Sequence, residues 1–254
     1  TVHDPLPHSS EDTWINRFHR YVCFRLLDRF ILLNEIQKEL FIKTYSMQRK
    51  RVSLSRLSVY TSLRNVKPKN TDLGNYVLFF GGISSHKGVE YLCGAMDEVC
   101  KKHPNVKLVV AGKGNIYFSI DKYAIYNNGN LVLLNRYIED CELVGLIRNA
   151  LFVVCPYIDA TQSGVVMSAF ALNKPVVATN VGALPTMVKD GQYGMIVPSK
   201  DAQALALAIN TLIEYPQKVE AMMTNIERDY SDGEYSWNVI AQGMIDIYKE
   251  ELLL

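Results

Sequence analysis

Cys155-Pro156-Tyr157-Ile158-Asp159-Ala160-Thr161-Gln162-Ser163-Gly164-Val165-Val166 joins two apolar runs. Before it, Leu151 to Cys155 reads as a buried strand; after it, Val165 to Leu172 begins a helix. From Asp159 to Gly164 the chain turns small and polar. Thr161 and Ser163 offer hydroxyls, and Gly164 permits close approach at the helix start. A helix N-terminus presents unpaired N–H groups and partial positive charge, which attract phosphate. The stretch therefore suits an oxyanion such as a diphosphate. A serine or threonine there also caps its own helix, and these residues alone leave both readings open.

Outward from this stretch, strands and helices alternate. Strand runs are expected at Tyr76–Gly81, Val106–Ala111, Asn130–Leu134, Leu151–Cys155, Lys174–Thr179 and Met195–Val197. Helical spacing appears at Gly88–His103, Asp140–Arg148, Gly164–Leu172, Ala183–Val188 and Asp201–Tyr215, with Asp201 placed as an N-cap. Such alternation predicts a parallel sheet covered on both faces, with ligands bound outside the carboxyl ends of the strands. Two more helices follow Pro216, at Gln217–Asp229 and Trp237–Leu252. Residues 1–60 differ: helices are expected at Trp14–Leu27 and Glu35–Tyr45, and only one strand-like run, Arg29–Asn34, lies between, with Thr1–Asp4 as the tail of a second strand. Two strands seldom make an independent sheet, so these residues read as the last part of another α/β domain. Phe18, Val22, Leu26 and Phe30 would need a sheet to cover them. Asn65, Pro68, Asn70 and Gly74 mark residues 62–75 as a linker.

A second loop shares the character of the first. Gly81-Gly82-Ile83-Ser84-Ser85-His86-Lys87-Gly88 follows a strand and precedes a helix, and Lys87 adds a full positive charge. It is a plain turn or a phosphate cradle; two such loops ending strands of one sheet favour the cradle. The spacing of a P-loop is absent. Gly112-Lys113-Gly114 is not a dinucleotide fingerprint either, because the third glycine would fall at Tyr117. No Cys/His or acidic cluster has metal-ligand spacing, so no metal is expected.

The chain has 254 residues and a formal net charge of +1. Residues 1–70 hold 13 Lys and Arg against 6 Asp and Glu, and Leu40 to Thr71 contains no acid. That stretch is a solvated face or faces an anionic membrane or acceptor. No apolar run reaches the roughly 18–20 residues of a membrane span. The five cysteines show no CxxC pairing and read as core packing in a reducing compartment. His3 and His8, in a loop, carry no signal by themselves.

Five segments occur in an order that resembles the C-terminal domain of family-four retaining glycosyltransferases: FFGGISSHKGVEYL, VKLVVAGKG, NRYIEDCELVGLIRNALFVVCPY, SGVVMSAFALNKPVVATNVGALPTMVKDGQYGMIVP and DAQALALAINTLI. The match spans about residues 76–215. TVHDPLPH and DRFILLNEIQKELFIKTY are similar to the end of the family's N-terminal domain, whose beginning is expected to be missing. The resemblance implies an α/β fold of the GT-B type: a doubly wound parallel-sheet C-terminal domain and an incomplete N-terminal Rossmann-like domain. The expected divisions are 1–65, 66–235 and a terminal helix, 236–254, crossing back to the N-terminal domain.

The same resemblance implies a nucleoside diphosphate sugar as donor, no other cofactor, no metal and no nucleic acid. Lys87 matches the lysine that neutralises the diphosphate, and His3 a histidine near the donor sugar. Gly81, Gly82, Gly112, Thr161, Gln162, Ser163, Gly164 and Val165 fall on the donor-binding loops. Tyr137 and Ile138 match the loop that pairs the base through main-chain groups. Ser168 and Ala160 stand where the family usually has two glutamates, and Gly82 where it usually has arginine. The implied function is retaining transfer to a glycan or lipid-linked acceptor in surface polysaccharide synthesis, in the cytoplasm or peripherally on the inner face of the membrane. The alternative is an inactive nucleotide-sugar-binding subunit.

Overall fold

The computed structural model describes Val2 and residues 13–252; His3, expected at the site, lies outside the described residues. The chain forms two compact units, Thr1–Ser58 with Asp232–Leu254, and Val59–Ser231. The sequence reading set the divisions at 65/66 and 235/236.

The first unit begins with α1 (Trp14–Leu26), β1 (Phe30–Leu32), α2 (Glu35–Tyr45) and β2 (Val52–Leu54). The Asn34 side chain caps α2 by accepting from the Gln37 N–H at 2.8 Å. β2 is a correction to the sequence reading, which admitted one strand-like run here. Val52-Ser53-Leu54 is too short, and too closely set among arginines and serines, to show a period of two. It forms because β1 offers a parallel edge, Phe30 opposite Val52 and Leu32 opposite Leu54. Phe30, Leu32, Phe41, Met47 and Val52 bury one small core between them. Of the apolar residues expected to seek cover, only Phe30 is buried; Phe18 and Leu26 remain 59% and 77% exposed. The inward residue of α1 is Phe24 instead, its ring edge-on to Phe30, Phe41 and Tyr45 at 4.8–5.7 Å between centroids.

The second unit runs β3 (Tyr76–Phe80), α3 (Val89–Lys102), β4 (Lys107–Ala111), α4 (Ala124–Asn127), β5 (Leu131–Leu134), α5 (Asp140–Asn149) and β6 (Val153–Cys155). It continues α6 (Gly164–Ala171), β7 (Val176–Thr179), α7 (Leu184–Val188), β8 (Gly194–Val197), α8 (Ala202–Glu214) and α9 (Pro216–Ser231). Its six strands lie in the order β5-β4-β3-β6-β7-β8, and every pairing is parallel. β3, β6 and β7 are buried along their whole length, which is why they read as unbroken apolar runs rather than alternating ones. Asp201 caps α8 as expected, accepting from the Ala204 N–H at 2.9 Å.

The chain moves outward from β3 to β5, then returns to lay β6 beside β3 before moving outward the other way. The order reverses between β3 and β6, and the carboxyl ends of strands at such a reversal are where sheets of this kind bind ligands. The two loops singled out in the sequence leave those two strands.

Residues 62–75 are not a free linker. Arg64 Nε donates to the Ala171 carbonyl at 2.9 Å, and the Lys69 N–H donates to the Cys141 carbonyl at 2.8 Å. Asn, Pro and Gly correctly mark turns here, but the turns are fastened to the sheet domain.

The last helix, α10 (Trp237–Leu252), belongs to the first unit. Arg56 pairs with Glu234 at 2.8 Å, and Ser58 Oγ donates to the Tyr235 carbonyl at 2.6 Å. Four of the cations between Leu40 and Thr71 have internal partners. Arg49 meets Glu39, Arg51 donates to the carbonyls of Leu27 and Asp28, and Arg56 and Arg64 are engaged as above. The stretch presents less charge outward than its count suggests. Among the described residues no helix is long and apolar enough to cross a membrane.

Candidate functional site

The question raised by residues 155–166 has a structural answer in two parts. Ser163 is the N-cap of α6: its Oγ accepts from the Val166 N–H at 3.4 Å, and the residue is 3% exposed. The capping reading is therefore correct for Ser163. Gly164 and Val165, the first two helical residues, have N–H groups with no partner inside the helix, and Gly164 is exposed. The anion reading thus rests on these two amides rather than on the Ser163 hydroxyl. The Tyr60 ring packs beside Gly164, so that a methyl group there would meet its hydroxyl at 3.1 Å. Ser168, one turn on, donates its hydroxyl to the Gly164 carbonyl at 2.9 Å and is nearly buried. Thr161 and Gln162 are half-buried on the preceding loop.

The loop after β3 meets this helix start. A methyl group at Gly81 would come within 3.3 Å of the Val165 side chain. Farther along, the His86 carbonyl accepts from the Ile158 N–H at 2.8 Å, which straps the two loops together. Lys87 ends a short 3₁₀ turn, Ser85–Lys87. Its Nζ lies 3.8 Å from the centroid of the Tyr157 ring, a cation–π contact. Burial pushes the Lys87 ammonium below its usual range, opposed by whatever negative charge Cys155 and Asp159 carry. Burial also raises the Cys155 thiol to about 12, so it is neutral near pH 7 and leaves Asp159 as the charged neighbour.

A cavity of about 300 Å³ lies beside the same turn, across the ends of β3, β4 and β5. Gly81, Gly82, Gly112, Tyr137 and Ile138 all line it, together with Arg136. Gly112 has φ 147°, and a Cβ there would lie 1.9 Å from the Gly81 carbonyl oxygen. Two backbones thus touch where only glycine fits. Arg136 donates through both terminal nitrogens to Glu142 at 2.8 and 2.7 Å, which holds the Glu142 carboxyl below the usual carboxylate range. The Tyr137 side chain is 72% exposed.

The structure therefore gathers the expected residues into two adjoining groups: a cavity on the β4/β5 side and a helix start with Lys87 on the β6 side. Tyr157, Tyr60 and the Arg136–Glu142 pair were missed. Tyr157 is fully buried. Only the six-residue spacing of Arg136 and Glu142 across a helix start hinted at a pair. Among the described residues no group of three or more His, Cys, Asp or Glu could hold a metal ion.

Residues 74–215 match the family described as glycosyl transferases group 1. An uncharacterized glycosyltransferase of Methanocaldococcus jannaschii is 30% identical over 175 residues, 68% of this chain and 44% of its own length. A phosphatidyl-myo-inositol mannosyltransferase of Mycobacterium leprae is 28% identical over 186 residues, 70% of this chain and 47% of its own. The chain thus spans about half the length of these curated relatives. Among solved structures, that of Anabaena Alr3699/HepE in complex with UDP is similar with a TM-score of 0.78 and 20% identity, covering 98% of this chain and 71% of that one. The likeness to such neighbours gives the fold as GT-B.

Proposed function

This chain belongs to the group 1 glycosyl transferases, and from that premise we propose that it moves a sugar, with retention, from a nucleoside diphosphate sugar to a hydroxyl of a glycan or lipid-linked acceptor. The observation that carries the reading is the meeting of two loops where the strand order reverses, Gly81 against Val165. The nucleoside is assigned to the cavity lined by Tyr137 and Ile138, and the diphosphate to the amides of Gly164 and Val165 with Lys87. The leaving diphosphate gathers negative charge as the glycosidic bond breaks, and fixed donors aimed at it lower the barrier. In this reading the same diphosphate takes the acceptor proton on the departing face, so no side-chain nucleophile is required. The UDP bound to the Anabaena neighbour supports a nucleoside diphosphate as ligand.

Titration calorimetry with UDP and GDP tests the site. One of the two is expected to bind, and to raise thermal stability with the logarithm of its concentration over Kd. Binding is expected to be the same with EDTA as with Mn²⁺. Loss of affinity in EDTA that Mn²⁺ restores would overturn the metal-free reading.

A second reading, donor binding without transfer, is favoured by Ser168. Its hydroxyl is turned to its own helix backbone, so it does not replace the glutamate that the family resemblance places there. Donor turnover in the presence of glycan and lipid-linked acceptors separates the two readings.

For the acceptor side, the remaining cations of the acid-free stretch are Lys43, Lys50, Lys67 and Lys69. With these we assign attraction to an anionic lipid or lipid diphosphate. Charge attraction is screened beyond about 8–10 Å at physiological salt. Co-sedimentation with anionic liposomes is therefore expected at low salt and lost at high salt. Equal partitioning onto neutral liposomes would refute it.

A further inference from the structure

Asn135 follows β5 and is not among the residues that line the cavity. Its side-chain amide makes a reciprocal pair of hydrogen bonds with one backbone residue: the Gly114 N–H donates to Oδ1 at 3.0 Å, and Nδ2 donates to the Gly114 carbonyl at 3.0 Å. Gly114 in turn forms an isolated parallel bridge with Ile83, and the Ile83 N–H donates to the Lys113 carbonyl at 3.2 Å. A Cβ on Gly114 would lie 2.0 Å from the Ile83 carbonyl oxygen, so these backbones are in direct contact. The strands beneath are joined in the same sequence, Gly112 N–H to the Leu134 carbonyl and Gly81 N–H to the Ala111 carbonyl, both at 3.0 Å. The three loops beyond β5, β4 and β3 are therefore linked above the last rung of the sheet, and Asn135 is the outermost fastening.

We infer that Asn135 is a positioning residue that holds the cavity wall at Gly112–Gly114 and the phosphate turn at Ile83–Lys87 in one register, so that a nucleoside and its diphosphate are received together. The inference rests on the proposed donor site. The amide accepts from the N–H and donates to the carbonyl of one residue through two separate atoms. A carboxylate of the same shape keeps the bond from the Gly114 N–H but sets a negative oxygen against the Gly114 carbonyl.

Asn135→Asp is therefore the informative variant, with Asn135→Ala as the second should the first fail to fold. Three quantities are read: the Kd for the nucleoside diphosphate that the native protein binds, the Kd for the matching monophosphate, and hydrogen exchange at the amides of Gly114 and Ile83. Roughly tenfold weaker diphosphate binding is expected, the upper range for losing one hydrogen bond of this kind. The affinity gained from the second phosphate is expected to shrink; the Ile83 amide is expected to exchange faster in both variants, and the Gly114 amide in Asn135→Ala. Equal weakening of mono- and diphosphate would mean a role confined to the nucleoside side and would overturn the inference. So would faster exchange at Gly114 with Ile83 unaltered, or native diphosphate affinity in both variants. A native protein that binds no nucleoside diphosphate would overturn the donor-site reading itself, and this inference with it.

Discussion

Replacing Lys87 by methionine is expected to weaken nucleoside diphosphate binding by about 1–3 kcal/mol, the scale of a hydrogen bond to a charged group. Methionine keeps the apolar stem against Tyr157 and removes only the charge. The ammonium sits 3.8 Å from the Tyr157 ring centroid and is partly withdrawn from water, which lowers its pKa. Cys155 is neutral near pH 7, and Asp159 is exposed, where solvent weakens its attraction. A partly desolvated cation gains more from an incoming diphosphate than a solvated lysine would. The pH dependence follows with a definite sign. A bound anion raises the Lys87 pKa above its depressed value in the free protein. Affinity is therefore full while lysine is protonated in both states, and falls as pH rises through the free-protein pKa, below the ordinary 10.5. Calorimetry of native protein and Lys87→Met across that range measures both effects. Equal affinities at neutral pH would remove Lys87 from the site.

The sheet was legible because a parallel sheet covered on both faces needs unbroken apolar strands, and Tyr76–Phe80 and Val153–Cys155 are such runs. The strand order and its reversal point were not legible, since long-range pairing leaves no local trace. Val52–Leu54 escaped for a related reason: three residues become a strand only because β1 lies alongside. At the site, glycine was the readable signal, because Gly81, Gly112 and Gly164 are where backbones or helix ends come close. Side chains whose role depends on a distant backbone were not readable. Asn135 acts on Gly114, 21 residues away, and Ser163 was ambiguous because a cap and an anion ligand have the same chemistry. Lys87 could be singled out, but its environment could not, because the burial of Tyr157 against it is a tertiary fact.

Gly182→Ala is expected to have the largest effect on stability, and it acts on the stretch from which the fold was read. Gly182 follows β7 with φ 53°, and a Cβ built there would lie 1.6 Å from the Ala160 carbonyl oxygen. The left-handed conformation alone costs an L-residue roughly 1–2 kcal/mol. The overlap is with backbone rather than with the end of a flexible side chain, so no rotamer change relieves it. Either the turn after β7 moves away from the sheet, or Ala160 moves and takes Asp159 to Ser163 with it. A total loss of about 3 kcal/mol or more is expected, the class of effect seen for steric insertion at a special backbone angle. For a domain of this size that corresponds to a melting temperature lower by roughly 6–12 °C. The two responses differ in function. If the turn yields, Ser163 still caps α6 and diphosphate affinity survives in the folded fraction. If Ala160 yields, the amides of Gly164 and Val165 are displaced and affinity falls with stability. Val177 and Ala178 lie in the buried strand just before the turn, which anchors it, whereas Asp159 is exposed and Ala160 half-buried. The loop at Ala160 is therefore the side expected to move, and loss of diphosphate binding should accompany the loss of stability. Thermal unfolding and calorimetry on the one variant decide the matter: a melting temperature within a degree of native would show that the contact between Gly182 and Ala160 is not part of the folded protein.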